Sequence, residues 1–116
     1  MVKGRALSFK YASEGILTAL KDQPNLIFHF LASIIVILLG HIFEITQTEW
    51  LVLTLTIGLV ITIELTNTAI EEIVNSFTTE THPAAKKAKD VAAGAVLIAS
   101  ITAVIIGLLI FLPYLN

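Results

Sequence analysis

The segment that decides the fold is WLVLTLTIGLVITIELTNTAIEEIV, Trp50 to Val74. From Trp50 to Ile63 it carries no charge, and then Glu64, Glu71 and Glu72 follow with Asn67 and Thr68 between them. A run this long and apolar reads as a helix spanning about 30 Å of hydrocarbon. The acids at its end raise the question of what compensates them, because a carboxylate near mid-bilayer costs about 2.5–3.5 kcal/mol even on lenient insertion scales.

At 3.6 residues per turn, Glu64, Asn67, Thr68, Glu71 and Asn75 share one helix face. Glu64 and Glu71 are two turns apart, about 10 Å along the axis. Glu72 points roughly 80° away and reads as a solvated residue at the helix end. The opposite face, with Leu65, Ile70 and Ile73, is apolar. Threonines and asparagines often hydrogen-bond between membrane helices, and packing alone accounts for Thr54, Thr62 and Thr68. It accounts poorly for two nearly eclipsed acids, which repel unless a proton or a cation separates them. The stripe must therefore face protein, water or a cation.

Working outward, two further apolar runs have spanning length, Leu26 to Ile45 and Val91 to Leu112. Asp22 and Pro24 break the chain before the first of these, EITQTE reads as a short turn after it, and Pro113 ends the last. The stretch from Asn75 to Asp90, NSFTTETHPAAKKAKD, reads as the one sizeable polar loop. Ahead of the spans, Leu7 to Leu20 reads as an amphipathic helix lying in the membrane interface, with Leu7, Tyr11 and Leu17 against Lys10, Glu14 and Lys21. The expected architecture is all-α integral membrane: three transmembrane helices plus an N-terminal interfacial amphipathic helix, one domain over residues 1–116.

Composition agrees. Hydrophobic residues make up 56% of the chain and the mean hydropathy is +0.89, far above a soluble domain. A net charge of -2 gives no basic surface for nucleic acid. There is no cysteine, which excludes disulfides, thiol catalysis and thiolate metal sites. The polar start MVKGRALSFKYASEG argues against a cleaved signal peptide. All seven Lys and Arg lie before the first span or in the Asn75–Asp90 stretch. The positive-inside rule then places the N-terminus and that stretch in the cytoplasm, with the Glu44–Trp50 turn and the C-terminus outside.

Two more clusters stand at the same membrane surface. Lys89 and Asp90 sit where the third span begins, followed by the small residues Ala92, Ala93, Gly94 and Ala95, which read as a face for close helix approach. A positive-inside anchor explains Lys89 by itself but leaves Asp90 unexplained. Asn25 and His29 are four apart on one helix face, where an interfacial histidine is more often a hydrogen-bonding residue than a ligand. His29, His41 and His82 are too scattered for a metal motif. Acids, amides and a lysine on neighbouring helix ends are what Mg²⁺ and phosphate require: oxygen ligands for the metal, an ammonium for the phosphate, and a deeper carboxylate to take a proton from a hydroxyl. No Walker loop and no kinase glycine-rich loop is present. The residues alone thus define an inward-facing membrane site for a cation and a phosphate.

ELTNTAIE, Glu64 to Glu71, resembles the E-x-x-N-[ST]-A-[IV]-E signature of the prokaryotic diacylglycerol kinase and undecaprenol kinase family. AKDVAAGAVL resembles its second block, and the likeness extends to SFKYASEG and the three-span layout. The resemblance implies a homotrimeric enzyme of the bacterial inner membrane, with sites formed between subunits, that moves the γ-phosphate of ATP to a lipid hydroxyl with Mg²⁺. By position, Glu64 would be the general base, Asn67 would position groups beside it, Glu71 would bind Mg²⁺ and the nucleotide, and Lys89 and Asp90 would contact the nucleotide.

One position departs from the pattern. The family usually has a second metal-binding glutamate six residues before the place of His29, and here that residue is Gln23, next to Asp22. Either of these would complete the metal site, or the chain is an inactive pseudokinase. A cation-coupled transporter using Glu64 is the other alternative, though it leaves Glu71, Lys89 and Asp90 without a role. SFKYA, the Asn25–His29 spacing and DVAAGAVL lean by resemblance toward undecaprenol over diacylglycerol as the acceptor.

Overall fold

The computed structural model describes residues 2–78 and 82–116, with side chains from residue 4 onward. Four α-helices follow one another: α1 (Val2–Asp22), α2 (Pro24–Ile42), α3 (Gln47–Phe77) and α4 (Pro83–Phe111), closed by a 3₁₀ turn, Leu112–Leu115. α2, α3 and α4 are each long and apolar enough to cross a membrane, and α1 is not.

The starts of α2, α3 and α4 are each set by a local signal. Gln23 alone separates α1 from α2, in extended backbone with φ -119° and ψ 100°. Pro24 enforces this, because it disfavours helical geometry in the residue before it while suiting the first helical position itself. Pro83 opens α4 in the same way. At α3, Thr46 and Glu49 form a reciprocal capping box: the Glu49 N–H donates to Thr46 Oγ1 at 3.2 Å and the Thr46 N–H donates to Glu49 Oε1 at 2.9 Å.

Helix ends differ from the sequence expectation in three places. α2 stops at Ile42, short of Ile45, because Glu44 takes a left-handed φ of 51°. There the Ile45 N–H donates to the Gly40 carbonyl at 3.1 Å and the Glu44 N–H to the His41 carbonyl at 3.3 Å, the paired bonds of a Schellman ending. α1 is longer than the Leu7–Leu20 segment at both ends. Most of the polar stretch Asn75–Asp90 is helical, with α3 running to Phe77 and α4 starting at Pro83. The Ala and Lys residues that follow Pro83 are good helix formers, and polarity ends a membrane span without ending a helix. Residues 79–81 of that stretch lie outside the described residues.

α3 and α4 form the most extensive helix pair, α2 packs on α3, and α1 touches both α2 and α3. α3 contributes a buried stripe, Leu53, Thr56, Val60, Glu64 and Thr68, at spacings of three and four. α4 buries Ala85, Ala92 and Ala99, one every seven residues. The run Ala92–Ala95 is therefore no single face: consecutive residues point about 100° apart, Ala93 and Ala95 are exposed, and only Ala92 is buried. At the far end, Ile45, Leu53 and Ile110 make a small core with Phe43, Trp50 and Tyr114 packed on it.

Most apolar side chains point outward, among them Ile35, Leu38, Leu55, Ile98 and Leu109. Only 11% of the apolar window of α2 and of α4 is buried within the chain, against 33% for α3. Exposed apolar area on this scale belongs against lipid or sister subunits. α3 is the helix held inside, and it is the one that carries the acids.

Candidate active site

Depth along α3 sorts the acids. Helical rise places Glu64 about 21 Å from Trp50, within the hydrocarbon, and Glu71 about 31 Å away, at its edge. Glu64 is 2% exposed. Its neighbour across the helix pair is His29 on α2, with Nε2 at 3.7 Å from Glu64 Oε2, and Oε2 has no hydrogen-bond partner. One turn on, Thr68 Oγ1 donates back to the Glu64 carbonyl at 3.0 Å, so the Thr68 hydroxyl satisfies backbone and does not reach the carboxylate.

Asn67 and Glu71 are joined directly. The Asn67 Nδ2 amide donates to Glu71 Oε1 at 3.2 Å, and the buried Asn67 Oδ1 has no partner. The bond uses one of the about four acceptor positions of an ionised carboxylate and leaves the others available. Two unpartnered oxygens, Glu64 Oε2 and Asn67 Oδ1, thus lie one turn apart on α3. Buried acceptors normally have a partner, so the pair marks a place built for a donor or a cation.

The polar end of α3 meets α4 through Lys89, whose Nζ donates to Asn75 Oδ1 at 3.0 Å. Asp90 pairs with Lys86, at 2.6 Å, and not with its neighbour Lys89. Residues four apart share a helix face and adjacent ones do not. Lys89 therefore belongs to the α3 stripe, while Asp90 and Lys86 form an exposed pair.

Asp22 and Gln23 stand where α1 turns into α2, Asp22 exposed and Gln23 half-buried. Among the described residues no hydrogen bond joins either to Glu71. Asp22 instead lines a groove of about 510 Å³ between α1 and α3 whose walls include Gly15, Ala19, Leu65, Thr68 and Glu72. Glu72, read from sequence as a solvated end residue, is exposed and shares this groove with Asp22. Among the described residues no three His, Cys, Asp or Glu side chains are grouped as a metal site.

Sequence reasoning placed Glu64, Asn67, Thr68, Glu71 and Asn75 on one face, and the structure keeps them there. It read His29 as a hydrogen-bonding interfacial residue and did not pair it with Glu64, although the Asn25–His29 spacing set it one turn inside the span. The Asn75–Lys89 contact was foreseeable only as a meeting of two clusters at one membrane surface.

α3 thus carries a buried carboxylate, Glu64, and a half-buried one, Glu71, with the Asn67 amide between them and the Lys89 ammonium beside the end of the stripe. The sequence matches the family described as prokaryotic diacylglycerol kinase over residues 10–111, and the chain belongs to that family. It is 44% identical over 108 residues to the undecaprenol kinase of Bacillus subtilis (strain 168), covering 93% of this chain and 88% of that one. It is 41% identical over 108 residues to a diacylglycerol kinase of Synechocystis sp., covering 92% of this chain and 62% of the relative. A diacylglycerol kinase of Helicobacter pylori (strain J99) is 35% identical over 88 residues, covering 76% and 69%. The chain is thus a multi-pass membrane enzyme of a bacterial kinase family, a phosphotransferase acting on a membrane lipid alcohol with ATP. Family membership sets the transporter reading aside.

Proposed function

We propose that this enzyme transfers the γ-phosphate of MgATP to the primary hydroxyl of a long-chain lipid alcohol, undecaprenol in preference to diacylglycerol. The observation that carries the reading is Glu64: a carboxylate 2% exposed, on the polar face of a helix long and apolar enough to cross a membrane. Glu64 takes the proton as the lipid oxygen bonds to the γ-phosphorus and the bridging bond to ADP breaks. Asn67 holds Glu71 through the hydrogen bond its amide donates and turns its own carbonyl oxygen to the site.

The oxygen donors at this end of α3 fit a hard divalent cation, because Mg²⁺ takes one or two protein carboxylates and completes its shell with water and phosphate. Glu71 would hold it, with Asp22 or the Gln23 carbonyl as the second protein ligand. Bound with the nucleotide, Mg²⁺ neutralises phosphate charge. Lys89 and Asp90 would contact the nucleotide, Lys89 from its position beside Asn75. One chain groups no third metal-binding side chain among its described residues, and α2 and α4 expose broad apolar faces. Both facts favour a homotrimer whose neighbouring subunits complete the sites. The location is the bacterial inner membrane, with the N-terminus cytoplasmic and the C-terminus outside.

One observation favours undecaprenol. The relative at 44% identity, matched over 88% of its length, is named an undecaprenol kinase. The groove between α1 and α3, lined by Gly15, Ile16, Ala19 and Leu65, is a place where an acyl or prenyl chain could lie beside α3. Competition of undecaprenol and diacylglycerol in one mixed micelle, with labelled ATP and separated products, is the test. A higher kcat/KM for undecaprenol is expected; preference for diacylglycerol overturns the acceptor, and transfer to neither overturns the kinase reading.

A further inference from the structure

We infer that His29 is a positioning residue for the base: its Nε2–H turns toward Glu64 Oε2 and fixes the carboxylate so that the other oxygen faces the acceptor hydroxyl. The inference rests on the general-base role of Glu64. Three observations support it. His29 Nε2 lies 3.7 Å from Glu64 Oε2, the two side chains being 15% and 3% exposed. Glu64 Oε2 is buried with no hydrogen-bond partner, so an acceptor is waiting for a donor. His29 is itself anchored, since Ser33 Oγ donates to its backbone carbonyl at 2.7 Å and the Phe28 ring stands edge-on to the imidazole at 5.8 Å between centroids.

The gap is somewhat longer than a hydrogen bond, and such contacts commonly tighten when substrate arrives. A glutamate has three side-chain torsions, and burial alone leaves its carboxylate free to rotate. A fixed donor on one oxygen removes that freedom, and misplacing a reacting group by about 1 Å costs on the order of a hundredfold in rate. The donors one turn away on α3 are engaged elsewhere: the Thr68 hydroxyl donates to the Glu64 carbonyl and the Asn67 amide to Glu71. The imidazole on α2 is therefore the group left to do it.

The test compares His29→Ala and His29→Gln, the second keeping an N–H donor of similar reach. His29→Ala should lower kcat roughly tenfold to a hundredfold with the KM for MgATP unchanged within about twofold. His29→Gln should recover most of that loss. In a Glu64→Gln background, His29→Ala should cost little further, because the group it positions is already gone. Equal losses in the Ala and Gln variants, or a loss falling on the KM for MgATP, would overturn the assignment. A second readout needs no turnover: in unliganded enzyme with isotopically labelled histidine, Glu64→Gln should shift the Nε2 resonance of His29. An unmoved resonance also overturns the contact, whereas a shifted resonance in an enzyme that phosphorylates no lipid would sink the kinase reading and leave the contact standing.

Discussion

Glu64 and Glu71 share a helix face and differ in depth and partner, so they should fail differently. Glu64 is enclosed at membrane depth and Glu71 is half-buried at the edge with Asn67 bound to it. Glu64→Gln should leave MgATP binding nearly intact and reduce kcat on the order of 10²–10⁴-fold, since only proton removal is lost. Glu71→Gln should instead weaken MgATP binding by about tenfold to a hundredfold, as a charged contact is lost. Equilibrium nucleotide binding measured beside turnover separates them, and equal loss of affinity in both variants would remove the assignment of roles. The corner at Asp22 and Gln23 gives a related expectation. If Gln23 stands where a carboxylate serves better, Gln23→Glu should raise activity at limiting Mg²⁺ and Asp22→Asn should lower it. Mg²⁺ titrations of the two variants decide the matter, and unchanged curves for both would exclude this corner from the metal site.

At the scale of elements, the α2–α3 turn is where packing and backbone geometry make opposite demands. Gly40 is buried, and a Cβ there would lie 2.6 Å and 2.9 Å from Trp50 ring carbons. Gly40→Ala should therefore push Trp50 off its place beside His41 and destabilise the enzyme by about 1–3 kcal/mol. Four residues on, Glu44 adopts φ 51°, where glycine is at ease and other residues are strained. Glu44→Gly should raise stability by up to about 1 kcal/mol. Unfolding of both variants in mixed detergent reads the two signs, and a neutral Gly40→Ala would mean the tryptophan moves freely. The same turn shows what the sequence could reveal. Three spans and the acidic face of α3 follow from hydropathy and a 3.6-residue period, both local properties. The capping box was also legible, as Thr46 and Glu49 at the required spacing, although EITQTE was read only as a turn. The left-handed Glu44 was not, because nothing in a glutamate announces it. The His29–Glu64 and Asn75–Lys89 contacts depend on how helices pair, which periodicity within one helix does not encode. Hydropathy likewise put helix ends at span ends, while the helices of Asn75–Asp90 continue into polar sequence.

Over the whole molecule, side-chain contacts sort the chain into two ends. Tyr114 donates a hydrogen bond to Glu49, and Phe43 and Phe111 lie 6.2 Å apart, so the α2–α3 turn and the C-terminus share one end. Lys89 meets Asn75 at the other, where the α3–α4 connection lies, and alternation of the three spans brings the α1–α2 junction there too. Lys21 at the α1–α2 junction and Lys86, Lys87 and Lys89 near the start of α4 belong to that second end, and the charged residues of the α2–α3 turn are the acids Glu44 and Glu49. Basic residues close to span ends resist translocation, and acids matter little, so the fold and the charge distribution specify one orientation jointly. In the proposed orientation the second end, with Glu71 and Lys89, faces the cytoplasm, which is where ATP is available. In an otherwise cysteine-free chain, a membrane-impermeant thiol reagent added to intact cells should label Asn116→Cys and spare Lys87→Cys until the cells are opened. Labelling of position 87 from outside would invert the molecule and put its nucleotide end on the wrong side. Moving charge tests the cause as well as the arrangement: replacing Lys86, Lys87 and Lys89 together by Gln, with lysines placed at Gln47 and Thr48, should yield a labelled minority at position 87 if the basic residues set the orientation. An unaltered pattern would mean that α1 and the hydrophobic spans fix it without them.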